Sequence, residues 1–153
     1  MVKNVVVANP DALTAKLRAL SDIASESTLR QAAVAGAREV LYEAKLRAPV
    51  YAGAFEGAAS GATWTRYGVQ YYPGFLRDHL IVAYDKQVSV TGRIASYIVT
   101  WTREAFYGRF IEYGTSKMAA RPFLRPSYEA KKADVKHAID GVIETKIKEM
   151  NRE

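Results

Sequence analysis

Cysteine is absent from the 153 residues, so neither a disulfide nor a thiolate metal site can be built. Histidine is almost absent: His79 and His137 are far apart in the chain and form no pair at helical spacing, which leaves zinc without a ligand set. Acidic clusters suited to magnesium are missing too. Glu39 and Glu43 stand one helical turn apart, but among Lys and Arg they read as a solvated face. No apolar run approaches the roughly 18 residues that a membrane span requires. The N-terminal stretch has only a short apolar patch and reads as lacking a secretory signal. There is no GxxxxGK[ST] phosphate loop and no G-x-S-x-G elbow. Gly57–Gly61 (GAASG) is glycine-rich, but it has no lysine, no preceding apolar strand and no following helix. These absences predict a protein without catalysis, cofactor or metal, and they suit a reducing cytosol.

What is present is an ordinary globular composition, 49% hydrophobic and 25% charged, in a length that fits one domain over 1–153. The net charge of +6 is unevenly distributed. It is densest over residues 109–126, where Arg109, Lys117, Arg121 and Arg125 face a single acid, Glu112. That is a local basic focus, not the long Lys/Arg tract of a nucleic-acid arm.

Asn9-Pro10 predicts a helix start, with Asn as cap and Pro at the first helical position, and Leu13, Leu17 and Leu20 carry the helix to about Ile23. A second helix is expected from about Ser27 to Arg47. Its apolar face is Leu29, Ala33, Ala37, Val40, Leu41 and Ala44, and Pro49 ends it. Residues 50–73 are rich in Gly and aromatics. They read as an extended loop whose aromatics pack on this subunit or a neighbour, with a short strand within Thr63–Tyr72. Leu80–Tyr84, Lys86–Val90 and Ile94–Thr102, with a turn at Thr91-Gly92-Arg93, predict an antiparallel sheet of three or more strands. A short helix over Ala105–Tyr113 is expected to stop at Gly114. Ser127–Met150 is a long helix of roughly 35 Å with the stripe Val135, Ile139, Val142, Ile143, Ile147 and Met150. The fold class is therefore α+β, with N-terminal helices, a small antiparallel sheet, and the long C-terminal helix packed on the sheet.

The most distinctive segment is Phe106–Pro126, FYGRFIEYGTSKMAARPFLRP. Pro122 and Pro126 stiffen Phe123, Leu124 and Arg125, and a rigid loop loses little entropy on docking. Its aromatic and Arg residues are types enriched at protein contacts. Phe123 and Leu124 are expected either to anchor in an apolar pocket of a neighbour or to staple the long helix to the sheet. Arg121 or Arg125 is expected to pair with an acid such as Glu112. Trp64, Arg66, Tyr67, Tyr71 and Tyr72 with Arg121 and Arg125 leave a nucleic-acid reading open.

The block Tyr107-Gly108-Arg109-Phe110-Ile111-Glu112-Tyr113-Gly114-Thr115-Ser116-Lys117, followed by Ala120-Arg121-Pro122-Phe123-Leu124-Arg125-Pro126, resembles the signature of the gene-product-ten-like family of long-tailed, double-stranded DNA phages. Ala44–Pro49 and Gly74–Leu80 resemble two weaker elements of that family, although His79 stands where the family usually has Ser and residues 50–73 intervene. The resemblance implies a head–tail joining or tail-completion protein of the virion neck, assembled in the host cytoplasm as a homomeric ring, hexamer or dodecamer. It implies the connector and the tail-tube or terminator proteins as neighbours, passage of double-stranded DNA through the ring, and neither cofactor nor membrane. A tail-terminator role and a DNA-binding accessory role are the alternatives. Its implied contact and structural residues are Tyr107, Phe110, Glu112, Tyr113, Gly114, Thr115, Arg121, Pro122, Phe123, Leu124, Arg125 and Pro126.

Overall fold

A computed structural model describes residues 25–50 and 63–150, together with positions 14, 15, 18 and 152. The predicted first helix therefore falls largely outside the described residues; Thr14, Ala15 and Arg18 are helical. The glycine-rich stretch Gly57–Gly61 also lies outside them.

Helix α1 (Glu26–Arg47) matches the expected second helix within a residue. Glu26 in its first turn and Lys45 and Arg47 in its last complement the helix dipole, and Ala48 and Pro49 end it. Its buried residues are Thr28, Ala32, Gly36, Val40 and Ala44, spaced every four residues. The predicted face was rotated by about one position towards Leu29, Ala33 and Ala37. Val40 and Ala44 of the expected face are buried, and the close approach expected of an alanine-rich face is made one position earlier, along Ala32 and Gly36. Gly36 shows why: a Cβ would lie 3.0 Å from Val135 Cγ1 and 3.1 Å from Ile139.

A hairpin of β1 (Trp64–Arg66) and β2 (Val69–Tyr71) follows. Its two-residue turn, Tyr67-Gly68, has φ of 51° and 76°, the left-handed pair that a tight hairpin needs. Helix α2 (Phe75–Asp78) is entered through Gly74 at φ 91°. Strands β3 (Leu80–Tyr84) and β4 (Tyr97–Trp101) then pair antiparallel, with Leu80 opposite Trp101 and Tyr84 opposite Tyr97. The expected sheet of three or more strands is instead two separate two-stranded sheets. The difference lies at Lys86–Val90. The Asp85 carboxylate accepts the Gln87 and Val88 N–H groups at 3.0 and 3.4 Å, bending the chain where a strand would run straight. A lone bridge, Val90 to Ile94, and hydrogen bonds from Ser89 and Asp85 to Ser96 close this loop around Gly92 in place of a strand pair.

The chain continues through a 3-10 turn (Arg103–Ala105), helix α3 (Gly108–Tyr113) and helix α4 (Leu124–Met150). Phe123 shares the core with Ala44 and Ala48 at the end of α1, while Val135 and Ile139 meet Gly36 further back. The two long helices thus run antiparallel. Packing of the long helix on the sheet needs correcting in one respect: its main partner is α1, and α1 is the helix that packs on β3 and β4. The core itself gathers where these elements meet, around Ala44, Tyr71, Phe75, Leu76, Leu80 and Phe123. Tyr71 stacks on Trp64 at 5.6 Å and lies 4.7 Å from Phe75, which fixes the hairpin against α2.

Candidate interaction surface

Helix α3 begins in a tight place. A Cβ on Gly108 would lie 2.8 Å from Leu76 Cδ1 and 3.0 Å from Trp101. Ile111 and Glu112 then turn inward, while Arg109, Phe110 and Tyr113 face solvent. The helix stops at Gly114, at φ 74° and ψ 179°, whose N–H donates to the Phe110 carbonyl at 2.8 Å. A side chain there is blocked twice, by that φ and by Ala120 N and Met118 O at 2.8 and 2.9 Å from a would-be Cβ. Thr115 and Met118 bridge to close the turn, and the Thr115 hydroxyl accepts the Lys117 N–H at 3.3 Å. The returning chain is tied to α3 by the Arg121 N–H, which donates to the Ile111 carbonyl at 2.8 Å.

Glu112 does something other than pair with arginine. Its side chain is 7% exposed. One carboxylate oxygen accepts the N–H groups of Phe123 and Leu124 at 2.7 and 3.0 Å, and the other accepts that of Arg125 at 3.2 Å. Pro126 has no N–H to satisfy, and the Ser127 N–H makes the first helical bond, to the Phe123 carbonyl at 3.2 Å. Every amide in the first turn of α4 is thereby accounted for. The expected Glu112–Arg pair is corrected accordingly: a buried carboxylate at a helix N-terminus is already matched by amides and dipole. The Ser127 hydroxyl also donates to the Phe123 carbonyl. Phe123 itself is 1% exposed within the core, so it staples α4 in place rather than reaching outward. Leu124 and Pro126 are half-buried, and Pro122 is exposed.

The outward-facing set is therefore Phe106, Arg109, Phe110, Tyr113, Thr115, Lys117, Met118, Arg121 and Arg125, with Arg103 beside them. Among the described residues, none of the cations from Arg103 to Arg125 makes an ion pair. Sequence reasoning did not foresee that the β1–β2 hairpin joins this surface. Between the hairpin, α2 and α3 lies an open cleft of about 930 Å³, lined by Trp64, Tyr71, Tyr72, Phe106, Tyr107 and Phe110, with Arg66 and Arg121 among its edges. The clustering of Trp and Tyr over 64–72 was its only sequence signal. Burial, and then the nearby Tyr71 and Tyr72 phenols, push the Tyr107 phenol up to about 12, so it is neutral at ordinary pH.

No group of His, Asp or Glu among the described residues is arranged to hold a metal. His79 stacks on Phe75 at 3.7 Å, with Nδ1 2.8 Å from the Phe75 carbonyl, a packing role. No helix among the described residues is long and apolar enough to cross a membrane.

Fold and surface together define a small α+β protein whose distinctive feature is an exposed aromatic and basic segment tied to a buried frame. The family model described as "Bacteriophage HK97-gp10, putative tail-component" matches residues 11–114. The chain belongs to this family, one of phage tail components. The match includes Tyr107–Gly114 and stops before Arg121–Pro126. No curated protein matches the chain, and no solved structure does.

Proposed function

We propose that this protein is a structural component of the phage neck, which completes the tail and joins it to the filled head as a homomeric ring. One observation carries the reading. The end of the subunit around α3 presents Phe106, Phe110 and Tyr113, at 57%, 45% and 75% exposure, beside cations that make no ion pair among the described residues. Apolar and charged groups offered together on an anchored segment suit docking to other proteins. In this reading the neighbours are further copies of the chain, the connector on the head side, and the tail-tube or terminator proteins, with DNA passing through the ring. Tyr107, Gly114, Pro122, Phe123 and Glu112 hold the segment, and Phe110, Tyr113, Thr115, Arg121 and Arg125 present it.

Mass photometry and electron microscopy of the purified chain supply the test, together with complementation of a phage lacking this gene. Closed rings are expected, and complementation is expected to convert separate filled heads and tails into whole virions. A chain that stays monomeric at all concentrations and shifts labelled duplex DNA in a salt-dependent way would instead support a DNA-binding role.

A further inference from the structure

We propose that the cleft between the β1–β2 hairpin and α3 binds an extended segment of a partner protein in which a carboxylate is flanked by bulky apolar side chains. The inference rests on reading this end of the subunit as a contact surface, and it adds what the surface recognises. The cleft's volume of about 930 Å³ exceeds that of any single side chain and falls in the range of a built binding site. Its walls are aromatic, and Phe106, Phe110 and the neighbouring Met118 leave apolar area in water that an apolar segment would cover.

Charge complementarity names the rest of the occupant. Arg66 and Arg121 both border the cleft, and no Asp or Glu among the described residues does. Arg66 lies 5.1 Å from the exposed Tyr67 ring and makes no ion pair among the described residues. Glu112, the one acid in residues 109–126, is turned inward and held by amides, so it cannot neutralise Arg121. Tyr107, being neutral, adds no negative charge. A carboxylate entering the cleft has Arg66 or Arg121 to meet without breaking an ion pair among the described residues, and a guanidinium suits planar, forked hydrogen bonding. Duplex DNA fits less well: two cations at the edge of an apolar hollow offer few phosphate contacts, and the aromatic walls cannot reach stacked bases.

The test is selection of a random linear peptide library on the full chain, followed by titration of the best synthetic peptide. Enriched sequences should place Asp or Glu beside Phe, Trp, Leu or Ile. Arg121→Ala and Arg66→Ala should each weaken binding by about tenfold, or 1.4 kcal/mol, without lowering Tm. Arg121→Glu should bind better to the same peptide with Lys in place of its acid. Enrichment without acidic residues, indifference to both Arg→Ala changes, or displacement by a duplex oligonucleotide would overturn the proposal. So would a large gain in affinity on the double change Phe55→Ala, Glu56→Ala, because the chain's own segment would then be the competitor. If rings form while no such peptide binds, this inference alone falls. If peptides bind but no ring forms, the ring reading alone falls.

Discussion

Along the α1–α4 pair, cations sit one turn from carboxylates; around α3 they do not. Five of the six ion pairs among the described residues lie within those two helices, such as Arg47–Glu43 at 2.6 Å and Lys131–Asp134 at 2.7 Å. Residues 109–126 carry one acid, Glu112, and the fold has drawn it inside; the nearby Glu104 is exposed but makes no ion pair among the described residues. The helices meet through Gly and Ala and each holds one exposed Tyr, whereas the α3 end gathers Phe106, Phe110 and Tyr113 in solvent. The contrast teaches that the helical pair matches several of its charges internally, while the exposed cations of the α3 end make no ion pair among the described residues. Its buried Glu112 serves the frame.

The sharpest way to break this comparison is to remove the charge that joins the two regions. Glu112→Ala leaves three amides at the start of α4 without an acceptor, which should cost about 3 kcal/mol and lower Tm by roughly 6–12 °C in a thermal melt. Glu112→Gln keeps the shape but places an amide group against N–H donors, and should fall between the two. Retention of the wild-type Tm by Glu112→Ala would show that α4 does not depend on this clamp.

Next come the glycines. Gly114→Ala forces a side chain into φ 74° against backbone atoms, and should cost about 2 kcal/mol. Gly36→Leu would drive α1 from α4, with a cost of about 2–3 kcal/mol. Both are read by chemical denaturation, and a neutral Gly36→Leu would mean that the helices do not pack as described. Arg121→Glu and Tyr113→Ser should leave Tm within about 1 °C, as expected of exposed sites, yet abolish ring formation or head–tail joining. If they lower Tm and leave assembly intact, the α3 end belongs to the frame.

The smallest effect concerns Asp134. The Lys131 ammonium, hydrogen-bonded to it, holds its carboxyl below the usual range. A carboxyl lowered in the folded state stabilises above its unfolded pKa of about 3.9 and loses that contribution as pH falls through the folded value. Both groups are solvated, so Asp134→Asn should lower Tm by less than about 1 °C at pH 7, and that small difference should vanish as pH falls below about 4.

Much of the frame was readable in advance because it follows from periodicity and punctuation. The end of α1 at Pro49, the bounds of β3 and the stop at Gly114 each follow from a residue's local chemistry. The start of α4 was set three residues late, because Phe123 is no capping residue and its cap comes from Glu112, eleven positions upstream. A carboxylate among arginines suggests a salt bridge, and only the fold reveals amides nearer to it. The first half of the α1 face was set one position late for a related reason: alanines recur at 32, 33 and 37, so their pattern alone does not fix the face, and contact at Gly36 depends on having no side chain. The β1–β2 hairpin was hidden because Tyr67 adopts a left-handed conformation more usual for Asn or Gly.

Because Glu112 grips α4 by three amides at its very first turn, α3 and the long helix are coupled as a handle is to a shaft. Twenty-seven residues make that shaft about 40 Å long. A contact that tilts the handle by about 5° would swing the far end by about 3–4 Å at this length. Docking at one end of the subunit would thus register as displacement at the other, with no hinge between them.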